Sequence, residues 1–489
     1  MRRLRSILSD GDAPLRARQR WGVAVCAAVV ATAASCARYQ HYAAAPLDRS
    51  TENARYRAHG LGAPAVSRFL AAGGVPLGDS GWSTRQLALA SLYYRADVPQ
   101  ARAELRAAQA AEITAGARPA PTADVSAERA SRPDEGRSTT WSFSLAAGLT
   151  LELGGKRSAR LARARAAATG ARLGLEREAW DIAQHTRFDA LAVVDADRRA
   201  ADRAAESSQL GMVASLLGAR YRAGELSAAE VARADADRQA ATVDGARAEV
   251  DRVAARAALA RDLAVPADSV ASVRVIPDAR SACTRLDSLS ADSLRALALV
   301  TNARVGVALA GYAVAESDLR LAVGNQYPDV TIGPGILWEQ GIRRWVLSLG
   351  TPGIPLQTRG PIAEATARRE ARAAAFRLAQ DSVLAAVDSA AAVCGAVGAE
   401  RAAADSLVSA STRTLDAASR AFERGEVGET DVAFARLAFV RARSGLHEAE
   451  GREAAAGAAL EAAVGRWLTG PPVQWPDLAA PPDSSGAER

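Results

Sequence analysis

Catalysis needs a nucleophile held beside a base, or metal ligands at close spacing. The four histidines, His41, His59, His185 and His447, are dispersed along the chain. No His/Cys cluster has zinc-site spacing, so no metal site is expected. Leu153-Gly154-Gly155-Lys156 lacks the glycine spacing of a phosphate-binding loop. No catalytic residue and no cofactor are therefore assigned. The sequence suggests covalent chemistry at one place, Cys36, which follows Ala33-Ala34-Ser35. Small residues before a cysteine resemble a lipobox, in which Cys36 would be lipidated after cleavage. The alternative is ordinary signal cleavage at a site such as Ala31-Thr32-Ala33.

The segment ahead of Cys36 has the form of an export signal. An Arg-rich start precedes an apolar run from Trp21 to Ala34. That run is about 14 residues, short for a bilayer span and suited to a signal peptide. Residues 1–35 are read as the signal, 36–83 as an extended segment and 469–489 as a disordered tail. No later stretch approaches the length of an apolar span, so no transmembrane helix is expected.

Composition narrows the classes further. Hydrophobic residues make up 49% of the 489, but alanine supplies much of this and aromatics only 5%. A thick globular core would need more large apolar side chains. The formal charge of +6 is mostly leader: without residues 1–35, 55 basic residues face 53 acidic ones. A nucleic-acid partner, which requires a basic face, is not expected. Cys26 leaves with the leader, and nothing in the sequence pairs Cys283 with Cys394.

The residues that remain of interest sit in long helices. No proline lies between Pro133 and Pro266, or between Pro361 and Pro471. An interior proline costs a helix about 3 kcal/mol, and Ala, Arg, Glu and Leu are good helix formers. The pattern predicts helices near 157–218, 227–263, 360–422 and 428–467. The first and third would be about 90 Å long at 1.5 Å per residue. Sparse large residues among alanines, such as Leu173, Trp180, Phe188, Leu191 and Val194, suit thin helix–helix seams.

The chain also reads as a tandem duplication. Arg220-Tyr221-Arg222-Ala223-Gly224-Glu225-Leu226-Ser227 matches Ala421-Phe422-Glu423-Arg424-Gly425-Glu426-Val427-Gly428 at an offset of 201. The same offset aligns Arg160–Ala164 with Pro361–Ala365. Gly224 and Gly425 are expected to end their helices in the left-handed conformation. Ser227 and Thr430 are expected to cap the return helices. Each repeat thus holds a long helical hairpin with a tight tip.

A strand pair precedes each long helix. From Trp141 to Leu153 odd positions are apolar and even ones small or polar, a period of two. Val330, Ile332, Ile336 and Trp338 share a face interrupted by Pro334, and Trp345, Leu347 and Leu349 mark another strand. A weaker candidate near 121–130 carries Val125 and Ala127, and Arg129–Ser138 and Gln340–Arg343 read as turns. Such strands suit a soluble hairpin or a membrane β-strand with one face to lipid. Trp141, Phe143, Trp338 and Trp345 would then sit at the membrane interface.

This order of elements resembles the TolC-like outer membrane factors over about residues 84–468, most specifically in the paired tips. The resemblance implies a mainly α fold with a small β part. Tandem-duplicated long helical hairpins would form an α-barrel, and four strands per protomer would enter a trimeric twelve-stranded transmembrane β-barrel. It implies repeats at 84–265 and 285–468, joined by an equatorial linker at 266–284. It implies an outer-membrane efflux channel reaching into the periplasm. The expected partners are the homotrimer, a periplasmic adaptor, an RND-type inner-membrane pump and outer-membrane lipids. Arg220, Tyr221, Gly224, Ser227, Phe422, Gly425 and Thr430 would contact the adaptor, and Asp416 would belong to an acidic ring at the pore entrance. At one position adjoining that ring the chain has Ser419.

Two segments resemble the heavy-metal branch, the CzcC-type partners of cobalt–zinc–cadmium exporters. They are Leu151-Glu152-Leu153-Gly154-Gly155-Lys156-Arg157, and Trp345–Leu349 with Ile354-Pro355-Leu356 and Arg359–Ala365. Gln357-Thr358 stands where that branch has a longer link. The rival readings are a periplasmic adaptor, which normally has one hairpin, and a structural helical lipoprotein, which leaves the strands unexplained.

Overall fold

A computed structural model describes residues 41–78, 81–129, 141–278, 281–339, 342–353 and 356–469. The signal peptide, Cys36, most of the turn at Arg129–Ser138, Gln340 and Gly341, Ile354 and Pro355, and all but Thr469 of the tail lie outside the described residues.

The helices are α1 (Arg49–Arg57), α2 (Pro64–Ala72), α3 (Thr84–Tyr94), α4 (Asp97–Gly116), α5 (Lys156–Arg222), α6 (Ala228–Asp262), α7 (Asp268–Ala271), α8 (Ala291–Thr301), α9 (Ala303–Gly324), α10 (Arg359–Glu423) and α11 (Glu429–Val464). The strands are β1 (Trp82–Ser83), β2 (Thr122–Arg129), β3 (Trp141–Leu151), β4 (Val275–Ile276), β5 (Val330–Glu339) and β6 (Ile342–Gly350). The chain divides into residues 1–55 and 56–489. In the first part, the Asp48 carboxylate accepts from Thr51 at the start of α1.

Helix, helix, strand, strand, long helix, tip and return helix occur twice in the second part. From the second strand onward the offset is that of the sequence: Trp141 and Ile342 open β3 and β6, and Ala228 and Glu429 open α6 and α11. Upstream the offset is larger because the hairpin gap shrinks from residues 130–140 to residues 340–341. At 67 and 65 residues, α5 and α10 are about 100 Å long. Alanine makes their seams thin, as at Ala164, Ala168, Ala179, Ala183 and Ala190 of α5. Both α4 and α6 pack on α5, α9 and α11 pack on α10, and α5 meets α9 and α11.

Two observations correct the sequence reading. Part of the segment expected to be extended folds: α2 starts at Pro64, a favoured first helical position, and buries Val66 and Leu70 against α3 and α5. Further, α10 contains an 18-residue window of mean hydropathy 1.7, of which 28% is buried. By length and composition it is apolar enough to cross a membrane, whereas no such stretch was expected. Its apolarity comes from Val383, Leu384, Val387, Val393 and Val397 set among alanines.

Large side chains concentrate midway along the rods. One core gathers Leu70, Leu87, Leu89, Leu259 and Leu263. Parallel pairing of β1 with β4, Trp82 to Val275, ties the start of the first repeat to the inter-repeat linker. A second core gathers Leu294, Val383, Val387, Val397 and Leu460. Here the linker is joined covalently to α10: Cys283 and Cys394 form a disulfide. They are 111 residues apart, and no local pattern pairs them. The linker also lies close on α11, where a Cβ on Gly457 would stand 2.8 Å from the Ala282 nitrogen.

The remaining strands form one antiparallel sheet in the order β2-β3-β5-β6. The ladder between β3 and β5 lapses opposite Gly333 and Pro334 and then resumes. Proline has no N–H to donate, yet β5 continues through it.

Candidate functional site

The sheet has two chemically distinct faces. The registers put Val125, Leu145, Ile336 and Trp345 side by side, with Leu149, Ile332 and Leu349 in a further row. The other face carries Thr122, Asp124, Ser126, Ser144, Thr150, Thr331 and Ser348. Ser126 and Ser144 hydrogen-bond across it at 2.8 Å. Every residue of the two outer strands is exposed, and neither has a partner on its outer edge among the described residues. Trp345, Leu347 and Leu349 are 79%, 74% and 76% exposed, an arrangement unsuited to water.

All four expected interface aromatics lie toward the hairpin end of this apolar face. Trp141 and Phe143 stack at 6.0 Å. Phe143 is opposite Trp338, and Ile336 is opposite Trp345.

At the other end the sheet joins the rods. Gly154 and Gly155 both have φ of 69°. A Cβ on Gly154 would stand 2.5 Å from the Gly324 oxygen, so the two segments cross here only because neither residue has a side chain. Asp329 accepts from Lys156 Nζ at 2.7 Å and from the Leu153 amide at 3.3 Å.

The two tips repeat one hydrogen-bond pattern. Glu225 N donates to Arg220 O and Gly224 N to Tyr221 O, both at 2.9 Å. Glu426 N and Gly425 N do the same to Ala421 O and Phe422 O, also at 2.9 Å. Gly224 and Gly425 have φ of 80° and 76° with open space where a Cβ would go, so conformation rather than crowding calls for glycine. Tyr221 and Phe422 are each 46% exposed. Arg220 pairs with Glu225 at 3.0 Å, and Arg424 makes two bonds to Glu426.

Ser227 caps α6 as expected, and its amide and hydroxyl both donate to Glu230 at 2.9 Å. Those bonds, the amide's first, hold the Glu230 carboxyl below its usual range. The expected cap at Thr430 is corrected. Thr430 lies inside α11 and is buried. The equivalent of Ser227 is Gly428, whose amide donates to Asp431 at 3.0 Å, so the second tip keeps only the carboxylate half of the capping box. Asp416 is exposed on α10 about two turns before the second tip. Leu210, Ala241 and Leu437 bring α5, α6 and α11 into one seam.

No family model matches the sequence, and no curated protein matches it. Solved structures do. The outer membrane protein VceC from Vibrio cholerae is 18% identical with a TM-score of 0.63, over 78% of this chain and 96% of that one. The outer-membrane channel OprN is 17% identical with a TM-score of 0.62, over 88% and 98%. The CmeC outer membrane channel of Campylobacter jejuni is 13% identical with a TM-score of 0.62, over 78% and 85%. The chain has the fold of these outer-membrane proteins. The expected mainly α protomer with a small strand part is therefore the fold found.

A buried polar cluster escaped the sequence reading. Arg187 on α5 donates to Glu461 on α11, and to Asp278 in the linker at 3.1 Å. Thr84 donates to Asp278 at 2.7 Å. The guanidiniums of Arg85 and Arg187 lie 4.7 and 4.8 Å from the centre of the Trp467 ring. Burial lowers the Arg85 pKa from its ordinary value. Isolated charges among alanines carry no periodic signal, so nothing in the sequence marks them as partners.

Proposed function

We propose that this chain is the outer-membrane channel of a tripartite efflux system and works as a homotrimer. One observation carries the reading: a sheet apolar on one face and polar on the other, open at both edges, continuous with two long hairpins. Open edges in lipid leave backbone groups unsatisfied, so membrane insertion requires closure. Three copies closing edge to edge would put the apolar face to lipid and the serines and threonines toward a lumen. The rods of residues 84–265 and 285–468 would line up as a periplasmic tube. The alanine-rich exposed surface of α10 suits close packing between neighbouring rods.

In this scheme Arg220, Tyr221, Gly224 and Ser227, with Phe422 and Gly425, meet a periplasmic adaptor that links the channel to an RND-type pump, and the buried Thr430 packs behind the second tip. Three copies of Asp416 would form an acidic ring attractive to cations. The segments around Gly154-Gly155-Lys156 and Arg359-Gly360-Pro361 support heavy-metal cations as cargo. Cys36 would anchor the chain through a lipid.

Detergent-extracted protein should migrate as a heat-labile trimer and conduct ions in planar bilayers; a strict monomer without conductance would end the channel reading. A deletion strain should become sensitive to metal salts, and unchanged tolerance would remove the metal assignment alone.

A further inference from the structure

The apolar face of the sheet changes character along its length. Toward the rods it is aliphatic, with Leu149, Leu151, Val330, Ile332 and Leu349. At the hairpin end it carries two cations. Arg129 is opposite Trp141, and Arg343 is opposite Trp338. The Arg129 guanidinium lies 5.7 Å from the Trp141 ring centre. By register both arginines stand on the apolar side, whereas the acidic Glu128 and Glu339 stand on the polar side. Arg344 also stands on the polar side, 3.7 Å from Glu339. Among the described strand residues, no Lys or Arg stands on the apolar face at the rod end.

A guanidinium directed at hydrocarbon is costly, and that cost falls toward the interface. A tryptophan partner fits headgroup depth. Arginine's fork matches a phosphate with two parallel bonds, and its face stacks on an aromatic ring. We infer that Arg129 with Trp141 and Arg343 with Trp338 form a site for the phosphate of an anionic lipid headgroup in the leaflet at the hairpin end. The inference rests on the proposed insertion of this sheet in the outer membrane, where that lipid is the phosphorylated glycolipid of the outer leaflet. β2 and β6 are the two edges, so closure of the barrel brings the Arg343 edge of one copy beside the Arg129 edge of the next. Each seam then holds two guanidiniums, and the aliphatic rod end holds none, so the site favours one leaflet.

The test uses the full-length protein in phosphatidylcholine vesicles containing either lipid A or lipid A stripped of its phosphates. The readout is lipid retained on the extracted trimer by native mass spectrometry. Wild type should retain the phosphorylated form preferentially. Arg129→Gln with Arg343→Gln should lower that retention on the order of tenfold. Arg129→Lys with Arg343→Lys should restore part of it, and Arg344→Gln should behave as wild type. Equal retention of both lipids by wild type, which needs no variant to fold, overturns the site. So does undiminished retention by the double Gln variant. Displacement by inorganic phosphate alone would reassign the site to the free ion and overturn the lipid assignment. Failure of wild type to insert into any vesicle would sink the channel reading as well; insertion without discrimination would sink this site only.

Discussion

Arg187, midway along α5, donates to the Glu461 carboxylate at the end of α11, and both side chains are buried. The other Glu461 oxygen accepts from the amides of Leu468 and Thr469, at 2.6 and 3.0 Å. The bond therefore joins the long rod of the first repeat to the last turn of the second. It holds them at the level where the linker crosses.

Removing one partner of a buried pair leaves the other charged and desolvated. Arg187→Met or Glu461→Gln should each cost about 3–5 kcal/mol. Thermal unfolding in detergent measures this. The double variant Arg187→Met with Glu461→Leu should lose less than either single change, because neither partner of this pair is left as an uncompensated buried charge. Equal losses in all three would contradict the argument.

Both tip glycines hold positive φ in open space. Gly224→Ala or Gly425→Ala should therefore cost about 1–2 kcal/mol locally, from backbone strain alone. Proline there should impair export while outer-membrane insertion stays intact. The comparison is resistance of the host against the amount of inserted protein. Normal resistance with both glycines replaced by proline would discredit the tips as docking points.

The Cys283–Cys394 disulfide closes a loop of more than a hundred residues. On the chain-entropy account such a bond contributes about 4–5 kcal/mol. Cys283→Ser and Cys394→Ser should each lower the unfolding temperature, and the double variant should fall no further than either. Reductant should slow the wild-type band on a denaturing gel and leave the variants unmoved. A disulfide here fits an oxidising compartment, in line with the expected export signal.

Burial, and after it the neighbouring Asp262 carboxyl, pushes the Asp189 carboxyl above its usual range despite Arg261 at 3.7 Å. The folded chain thus binds that proton more tightly than the unfolded chain does. The stabilisation is present at pH below the ordinary carboxylate value and is lost as pH rises through the raised one. At neutral pH, ionised Asp189 opposes folding. Asp189→Asn should raise stability at neutral pH and make it vary less between acid and neutral conditions. Thermal unfolding across that range checks it, and an unchanged slope would count against the raised value.

Much of the architecture was legible because its signals are local. Two long gaps between prolines mark the rods, a period of two marks β3, and Gly224 and Gly425 mark the tips at one constant offset. Helix propensity and hairpin turns act over a few residues, so a linear reading captures them. The reading failed where a local rule had two solutions. Thr430 is a good cap by type, but the backbone turns at Gly428 and leaves the threonine buried. Pro334 reads as a break, yet pairing with β6 carries β5 through it.

What the sequence determined by itself was the set of elements and their order: rods, ribbons and tips, each made twice. Only the tertiary structure decided which distant residues meet. Cys283 with Cys394, Arg187 with Glu461, Gly154 against Gly324, and the arginines beside Trp141 and Trp338 are all long-range or register-dependent. Such pairings depend on how whole rods slide and rotate against one another. That freedom is resolved by packing over many residues together, and no short stretch of sequence contains it.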